Sequence, residues 1–331
     1  MLTDAWFAIG DTHVVCQDFA VAGHTADGNG FAVVCDGCSS SPNTDVGARL
    51  LAAAACIPLR QGQLPGPETV ETVQTVQTVQ TVQTVQTVQT VQTVQTVQTV
   101  QTVQTVQTVQ MVQIVEQAAR AAAMLQLPPR CLDATLLVAL TDEQCCRVRV
   151  FGDGVVAAIR REGHLQVHRF EQPDGAPPYP SYELDPERRR QWHERCSPII
   201  EECIEHHRSP DPVPIEHQSP SQFMRFSHEN DDQKVRIKHE SPPQLCFARD
   251  EFISVALGSD GLDAFVHVEH GVATPVPTTA VLERLLHAPQ PRGRFLVRRG
   301  RRFLRRECVR DSWRPTDDVS LAVIRWSTEA A

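Results

Sequence analysis

Thirteen consecutive copies of Thr-Val-Gln run from Thr72 to Gln110, and a compact domain cannot absorb such a tract. In an α-helix each residue advances by about 100°, so valines three apart drift by about 60° per triplet and the apolar stripe winds around the axis. In a strand a period of three sends successive valines to opposite faces. Neither conformation buries a fixed face. As a single helix the tract would be roughly 59 Å long at 1.5 Å per residue, longer than a small domain is wide. It reads as an expansion tolerated between two helices, and the alternative is self-association through its valines.

The flanks support that placement. Thr44-Asp45 can cap a helix running from Val46 to Cys56. Met111 to Leu125 is rich in strong helix formers and stops before Pro128-Pro129. Ahead of this hairpin, Trp6 to Gly37 reads as two strands joined by a loop, the second being the apolar run Phe31 to Cys35. Behind it come strands at Ala134–Leu140, Arg147–Phe151 and Val155–Arg160, with Gly152-Asp153-Gly154 turning between the last two. Residues 172–244 are rich in Pro, His, Arg and Glu and read as a long, partly disordered insertion. A strand at Phe252–Gly258, a helix at Ala280–Leu286 and a strand at Val319–Trp326 complete the pattern.

Charge and cysteine usage narrow the function. A net charge of -9 disfavours general nucleic-acid binding, because a surplus of carboxylates repels phosphate backbones. No run of about 18 apolar residues occurs, so no membrane span is expected. Eleven cysteines in a chain of 331 residues, with no basic and apolar leader before Asp4, read as reduced thiols in a cytoplasm.

Three times an apolar strand meets an acidic turn: at Asp36-Gly37, at Ser259-Asp260-Gly261, and at Thr316-Asp317-Asp318 leading into Val319. Hard divalent cations such as Mg²⁺ take oxygen ligands and keep several waters, so carboxylates at strand ends would suit them. A single Asp-Gly is more often only a turn, since Asp bonds its own backbone and Gly supplies positive φ. The order of several such turns along one chain carries more weight than any one of them.

That order resembles the protein phosphatase type 2C family, in particular its divergent bacterial branch. The matching pieces are Gly10-Asp11-Thr12-His13 with Cys16-Gln17-Asp18, then Val33-Val34-Cys35-Asp36-Gly37, then Asp133-Ala134-Thr135-Leu136-Leu137. They continue with Phe151-Gly152-Asp153-Gly154, Ser259-Asp260-Gly261-Leu262 and Thr316-Asp317-Asp318-Val319-Ser320-Leu321. The resemblance implies one α+β domain over residues 1–331, a four-layer α-β-β-α sandwich of two mostly antiparallel sheets. The repeat would be inserted in its helical layer and residues 172–244 would form a second insertion. It further implies metal-dependent hydrolysis of phosphoserine or phosphothreonine in proteins. Asp36 would bridge two Mn²⁺ or Mg²⁺ ions, the Gly37 carbonyl and Asp18 would complete one site, and Asp260 with Asp317 the other. Asp153 would lie near a third, weaker site. Asp36, Asp260 and Asp317 would thus be the catalytic carboxylates.

The chain also departs from the family pattern. Gln17 stands where the best-known members carry an acid. The familiar Asp-Gly-His-Gly-Gly becomes Asp36-Gly37-Cys38-Ser39-Ser40, which removes the His that acts as general acid in some members and leaves leaving-group protonation unassigned. His13 replaces a phosphate-binding Arg and could still donate a hydrogen bond to phosphate. These changes keep open a second expectation, a catalytically weak module that binds or regulates phosphoproteins.

Other signals weigh less. Cys35 and Cys38 form Cys-x-x-Cys without the second pair a zinc site would need, and His206-His207 lies in a polar insertion. Eight arginines between Arg292 and Arg306, interleaved with Phe295, Leu296, Val297, Phe303 and Leu304, read either as a solvated face or as a docking patch. Such a patch would suit an acidic or phosphorylated protein.

Overall fold

The computed structural model describes residues 1–65, 111–175, 177–207, 235–240, 242–287 and 292–326. The Thr-Val-Gln tract, with its expected place in the helical layer, lies outside the described residues. So does the middle of the second insertion.

Strand alternation explains the layering. In β3 (Gly30–Cys35) and β4 (Leu136–Thr141) every residue is buried, as happens when both faces of a sheet are covered. Phe31, Val33, Cys35, Leu136, Val138 and Leu140 point into one apolar cluster. It is completed by α1 (Thr44–Arg60) and by α2 (residues 111–124). The intervening residues Ala32, Val34, Leu137 and Ala139 face a central cluster shared with the other sheet. There β15 (Val319–Arg325) contributes Ala322 and Ile324, while its Val319, Leu321 and Val323 face a third cluster beneath α4 (Thr278–Leu286) and α5 (Phe295–Arg302). Helix, sheet, sheet, helix is therefore the order of layers. Each fully buried Val or Leu in the central cluster contributes about 1.5–3 kcal/mol through the area it removes from water.

One sheet has the strand order β1-β15-β11-β6-β7-β8-β9 and the other β10-β5-β4-β3-β2. A small third sheet, β13-β12-β14, sits beside them. In the first sheet β1 is Leu2–Ala8, β6 Gly154–Arg160, β7 Leu165–Glu171, β8 Ile200–His207, β9 Val235–His239 and β11 Phe252–Gly258. In the second, β2 is Phe19–His24, β5 Cys145–Phe151 and β10 Gln244–Ala248. The third consists of β12 (Phe265–Glu269), β13 (Val272–Pro275) and β14 (Trp313–Pro315). All the pairings are antiparallel.

One stretch differs from the sequence expectation, and two others take definite form. The first 37 residues hold three strands, not two, because β1 pairs with the distant β15 over Leu2↔Arg325 to Ala8↔Val319. The second insertion is partly ordered: Pro180–Leu184 forms a 3-10 turn, α3 spans Pro186–Arg195, and β8 and β9 extend the larger sheet. Their sequences look polar because β9 is an exposed edge strand and β8 carries the buried Glu202, which accepts hydrogen bonds from His168 Nδ1 and His239 Nε2 (2.7 Å to the latter). The arginine-rich run is helical, continuing from α5 into a π-helical turn at Phe303–Cys308. Phe295, Leu296 and Phe303 are buried along it and most of the arginines are exposed.

Candidate metal centre

Antiparallel pairing brings the acidic turns to one edge. Cys35 lies opposite Phe19, and Asp36 and Asp18 adjoin that pair. Gly258 lies opposite both Leu321 and Val155, so the turns carrying Asp260, Asp317 and Asp153 leave the larger sheet at the same end. A bridge between Gly37 and Ala134 joins the Asp36 turn to the start of β4. Each turn was legible separately, but only the strand order makes them neighbours.

The carboxylates crowd one another in a buried corner. Asp18 is 1% exposed and neither of its oxygens has a hydrogen-bond partner. Burial pushes its pKa up to about 7. The Ser259 and Ser320 hydroxyls, near but outside bonding geometry, oppose that rise, while Asp260 adds to it. Burial likewise holds Asp36 well above the carboxylate range, reinforced by the charges of Asp18, Asp260 and Asp153. Asp153 rises to about 7 through burial and then the charge of Asp260. Asp317 is raised by burial and Asp260, and His13 counteracts the shift. Like charges gathered in a desolvated corner are costly unless a cation joins them.

Small residues permit the close approach. A Cβ on Gly261 would stand 1.7 Å from the Asp318 carbonyl oxygen, and one on Gly10 would stand 2.3 Å from that of Asp317. Asp318, to which sequence reasoning gave no role of its own, organises this corner. It is buried and accepts from the Gly10 amide at 2.9 Å and the Gln17 amide at 2.6 Å. His13 Nδ1 lies 3.0 Å from Asp318 Oδ2 and 3.5 Å from Asp317 Oδ1, and the contact with Asp318 raises the imidazole pKa. One nitrogen of the residue expected to bind phosphate is therefore engaged by acids. Gln17 does not stand in for the missing acid: its Nε2 donates to Thr44 Oγ1 at 2.6 Å, and Thr44 Oγ1 donates to the Cys38 carbonyl at 3.1 Å.

The donor set fits hard divalent cations: hard oxygens, two of them buried without partners, on backbone held rigid by tight glycine contacts. Asp18, Asp36, Asp153, Asp260, Asp317 and the Gly37 carbonyl all belong to turns at this edge. Among the described residues, no three His, Cys, Asp or Glu side chains stand together in metal-ligand geometry.

A second carboxylate, missed as a functional residue, braces this edge. Asp133 is buried and accepts from Ser41 Oγ at 2.7 Å, Ser181 Oγ at 2.7 Å and Arg188 Nη2 at 2.8 Å. Its backbone carbonyl accepts from the Cys38 amide at 2.8 Å. It ties the loop after Asp36 to the ordered part of the second insertion. The chain around Asp133 was quoted above for its family pattern, but its partners lie far along the chain and no local motif announces them.

The sequence profile described as protein phosphatase 2C matches residues 10–294. No curated protein matches the sequence. Among solved structures, a bacterial serine phosphatase has a TM-score of 0.50 at 11% identity, with 100% of each chain covered. The serine/threonine phosphatase Stp1 from Staphylococcus aureus has 0.47 at 11% identity, covering 98% of this chain and 94% of that one. The Mycobacterium tuberculosis serine/threonine phosphatase PstP/Ppp has 0.42 at 16% identity, covering 97% of each.

Proposed function

We propose, from the premise that this chain belongs to the protein phosphatase 2C family and is a protein-serine/threonine phosphatase, that it hydrolyses its phosphoprotein substrate through a centre of two Mn²⁺ or Mg²⁺ ions. The observation that carries this reading is the gathering of Asp18, Asp36, Asp153, Asp260 and Asp317 at one sheet edge with raised carboxyl pKa values among them. Asp36 would hold both ions, Asp18 and the Gly37 carbonyl would complete one site, and Asp260 with Asp317 the other. Asp153 would serve a third, weaker site. When bound, the cations activate water for in-line attack on phosphorus and neutralise charge on the phosphoryl oxygens. Asp318 positions the Gly10–Gln17 loop, and the His13 nitrogen not facing the acids is available to a phosphoryl oxygen.

Hydrolysis of a phosphothreonine peptide tests this, with wild type, Asp36→Asn and Asp260→Asn compared in Mn²⁺ and in chelator. Activity that needs metal and both aspartates supports the enzyme. The substitutions at Cys38, Ser39 and Ser40 favour a second reading, a weak phosphatase that binds phosphoproteins. An inactive wild type that still binds the phosphopeptide would establish that reading instead.

The exposed arginines of the 292–306 run are proposed as the docking surface for an acidic or phosphorylated protein substrate. Charge reversal at Arg301 and Arg305 should then raise KM for a protein substrate and spare a short peptide. All eleven cysteines are free thiols, which supports a reducing, cytoplasmic setting, and among the described residues no helix is long and apolar enough to cross a membrane. Nucleic acid is not a proposed partner. Self-association through the Thr-Val-Gln tract is the alternative role for that segment.

A further inference from the structure

Hydrolysis of a serine or threonine phosphate must deliver a proton to the departing alkoxide, a strong base. The residue after Asp36-Gly37 that could have done so as histidine is Cys38. Beside it, the Ser40 hydroxyl bonds with the Cys38 thiol at 3.1 Å and the Ser41 hydroxyl is spent on Asp133; elsewhere at this edge His13 Nδ1 faces Asp318 and Asp317.

The ordered insertion brings in another donor. Tyr179 sits in the run Pro177-Pro178-Tyr179-Pro180, where the prolines restrict the backbone and hold Tyr179 extended, at φ -62° and ψ 138°. Two residues further on, Ser181 donates to Asp133 Oδ1, and Arg188 donates to Oδ2 of the same carboxylate. Since the Asp133 carbonyl also receives the Cys38 amide, one buried aspartate sets the distance between Tyr179 and Cys38. The Tyr179 hydroxyl lies beside the Cys38 thiol, outside bonding geometry, and the thiol itself bonds with Ser40 Oγ at 3.1 Å. The ring stands edge-on to Tyr182, centroids 5.6 Å apart, and Tyr182 in turn lies under the Arg188 guanidinium at 4.8 Å. Tyr179 and Gly152, the neighbour of Asp153, line one cavity of about 480 Å³. The phenol feels the charges of Asp36 and Asp153, and burial keeps it protonated far into the alkaline range.

We propose that Tyr179 is the proton donor to the leaving oxygen, supplied by the insertion in place of a histidine at position 38. This rests on the phosphatase reading above. As water oxygen forms its bond to phosphorus, the bond from phosphorus to the serine or threonine oxygen breaks and its electron pair goes to that oxygen. The Tyr179 hydroxyl proton follows it, and the phenolate recovers a proton from water. The Cys38 thiol takes no part in bond breaking.

The test compares Tyr179→Phe with wild type in Mn²⁺ on two substrates: a phosphothreonine peptide, which leaves as an alkoxide, and p-nitrophenyl phosphate, whose leaving group departs without a proton. The expected result is a kcat on the peptide at least tenfold lower, with a loss at least tenfold smaller on the nitrophenyl ester. Partial recovery on the peptide is expected when Cys38→His is added. Mn²⁺ affinity by calorimetry and the melting temperature should stay at wild-type values, since the ring and its packing remain. Equal losses on both substrates, an unchanged peptide rate, or a fall in Mn²⁺ affinity would each overturn the assignment to Tyr179 alone. A wild type inactive on both substrates would instead sink the phosphatase reading together with it.

Discussion

Arg188 donates to Asp133 Oδ2 at 2.8 Å, across 55 positions of sequence, and this contact fastens an insertion to the edge where the acidic turns meet. Its guanidinium also covers the Tyr182 ring at 4.8 Å. Arg188→Ala leaves a buried carboxylate with two serine donors and a more distant Arg130 at 3.6 Å. A loss of about 1–3 kcal/mol in urea unfolding is expected, with a lower peptide rate as Tyr179 loosens.

The acidic cluster makes a pH prediction for the metal-free protein. Asp18 and Asp153 have folded pKa values of about 7 against a reference of 3.8. Between those values the native state binds more protons than the unfolded chain, so stability falls as pH rises from about 4 to about 7. Melting temperatures in chelator should show that decline. Mn²⁺ at 100 times its Kd should restore about 2.7 kcal/mol. Asp36→Asn should flatten the pH slope and abolish the response to Mn²⁺.

Glu202 predicts the opposite slope at lower pH. Burial tends to raise its pKa, but hydrogen bonds to His168 and His239 outweigh that and bring it below 4.5. Its stabilising contribution is present above 4.5 and is lost as pH falls through the folded value. Glu202→Gln should cost about 1–3 kcal/mol at neutral pH. The gap from wild type, read from urea titrations, should narrow below pH 4.5.

Gly261→Ala should damage stability and site together. The added methyl meets the Asp318 carbonyl oxygen at 1.7 Å, and relieving that overlap must separate the Asp260 and Asp317 turns. A loss of about 1–3 kcal/mol is expected, with weaker Mn²⁺ binding by calorimetry.

Removing Thr72 to Gln110 should leave the domain standing. Leu64 before the tract and Met111 and Ile114 after it pack into the same apolar cluster as α1, so the anchoring contacts survive the deletion. Light scattering should show the same number of subunits per particle, and Mn²⁺-dependent activity should persist. A change in subunit number would establish self-association through the tract.

The sequence by itself determined the family and the element types of the core. Apolar runs such as Phe31–Cys35 and Val319–Ile324 can hardly be anything but buried strands, and the Asp-Gly turns at their ends show wherever they fall, because both signals are local. The α-β-β-α layering was what the family resemblance carried by those motifs implied. Tertiary structure alone decided which turns meet, since antiparallel pairing of strands as distant as β1 and β15 sets that edge. It also decided the parts played by Asp133, Asp318, Glu202 and Tyr179. Each is a polar residue buried or half-buried on partners far along the chain, and charge pairing at long range leaves no periodicity to read. For the same reason β8 was hidden inside a stretch that looks solvated, since its buried Glu202 is held by a Glu-His network, and β9 is an edge strand exposed along most of its length, with no buried face to mark it.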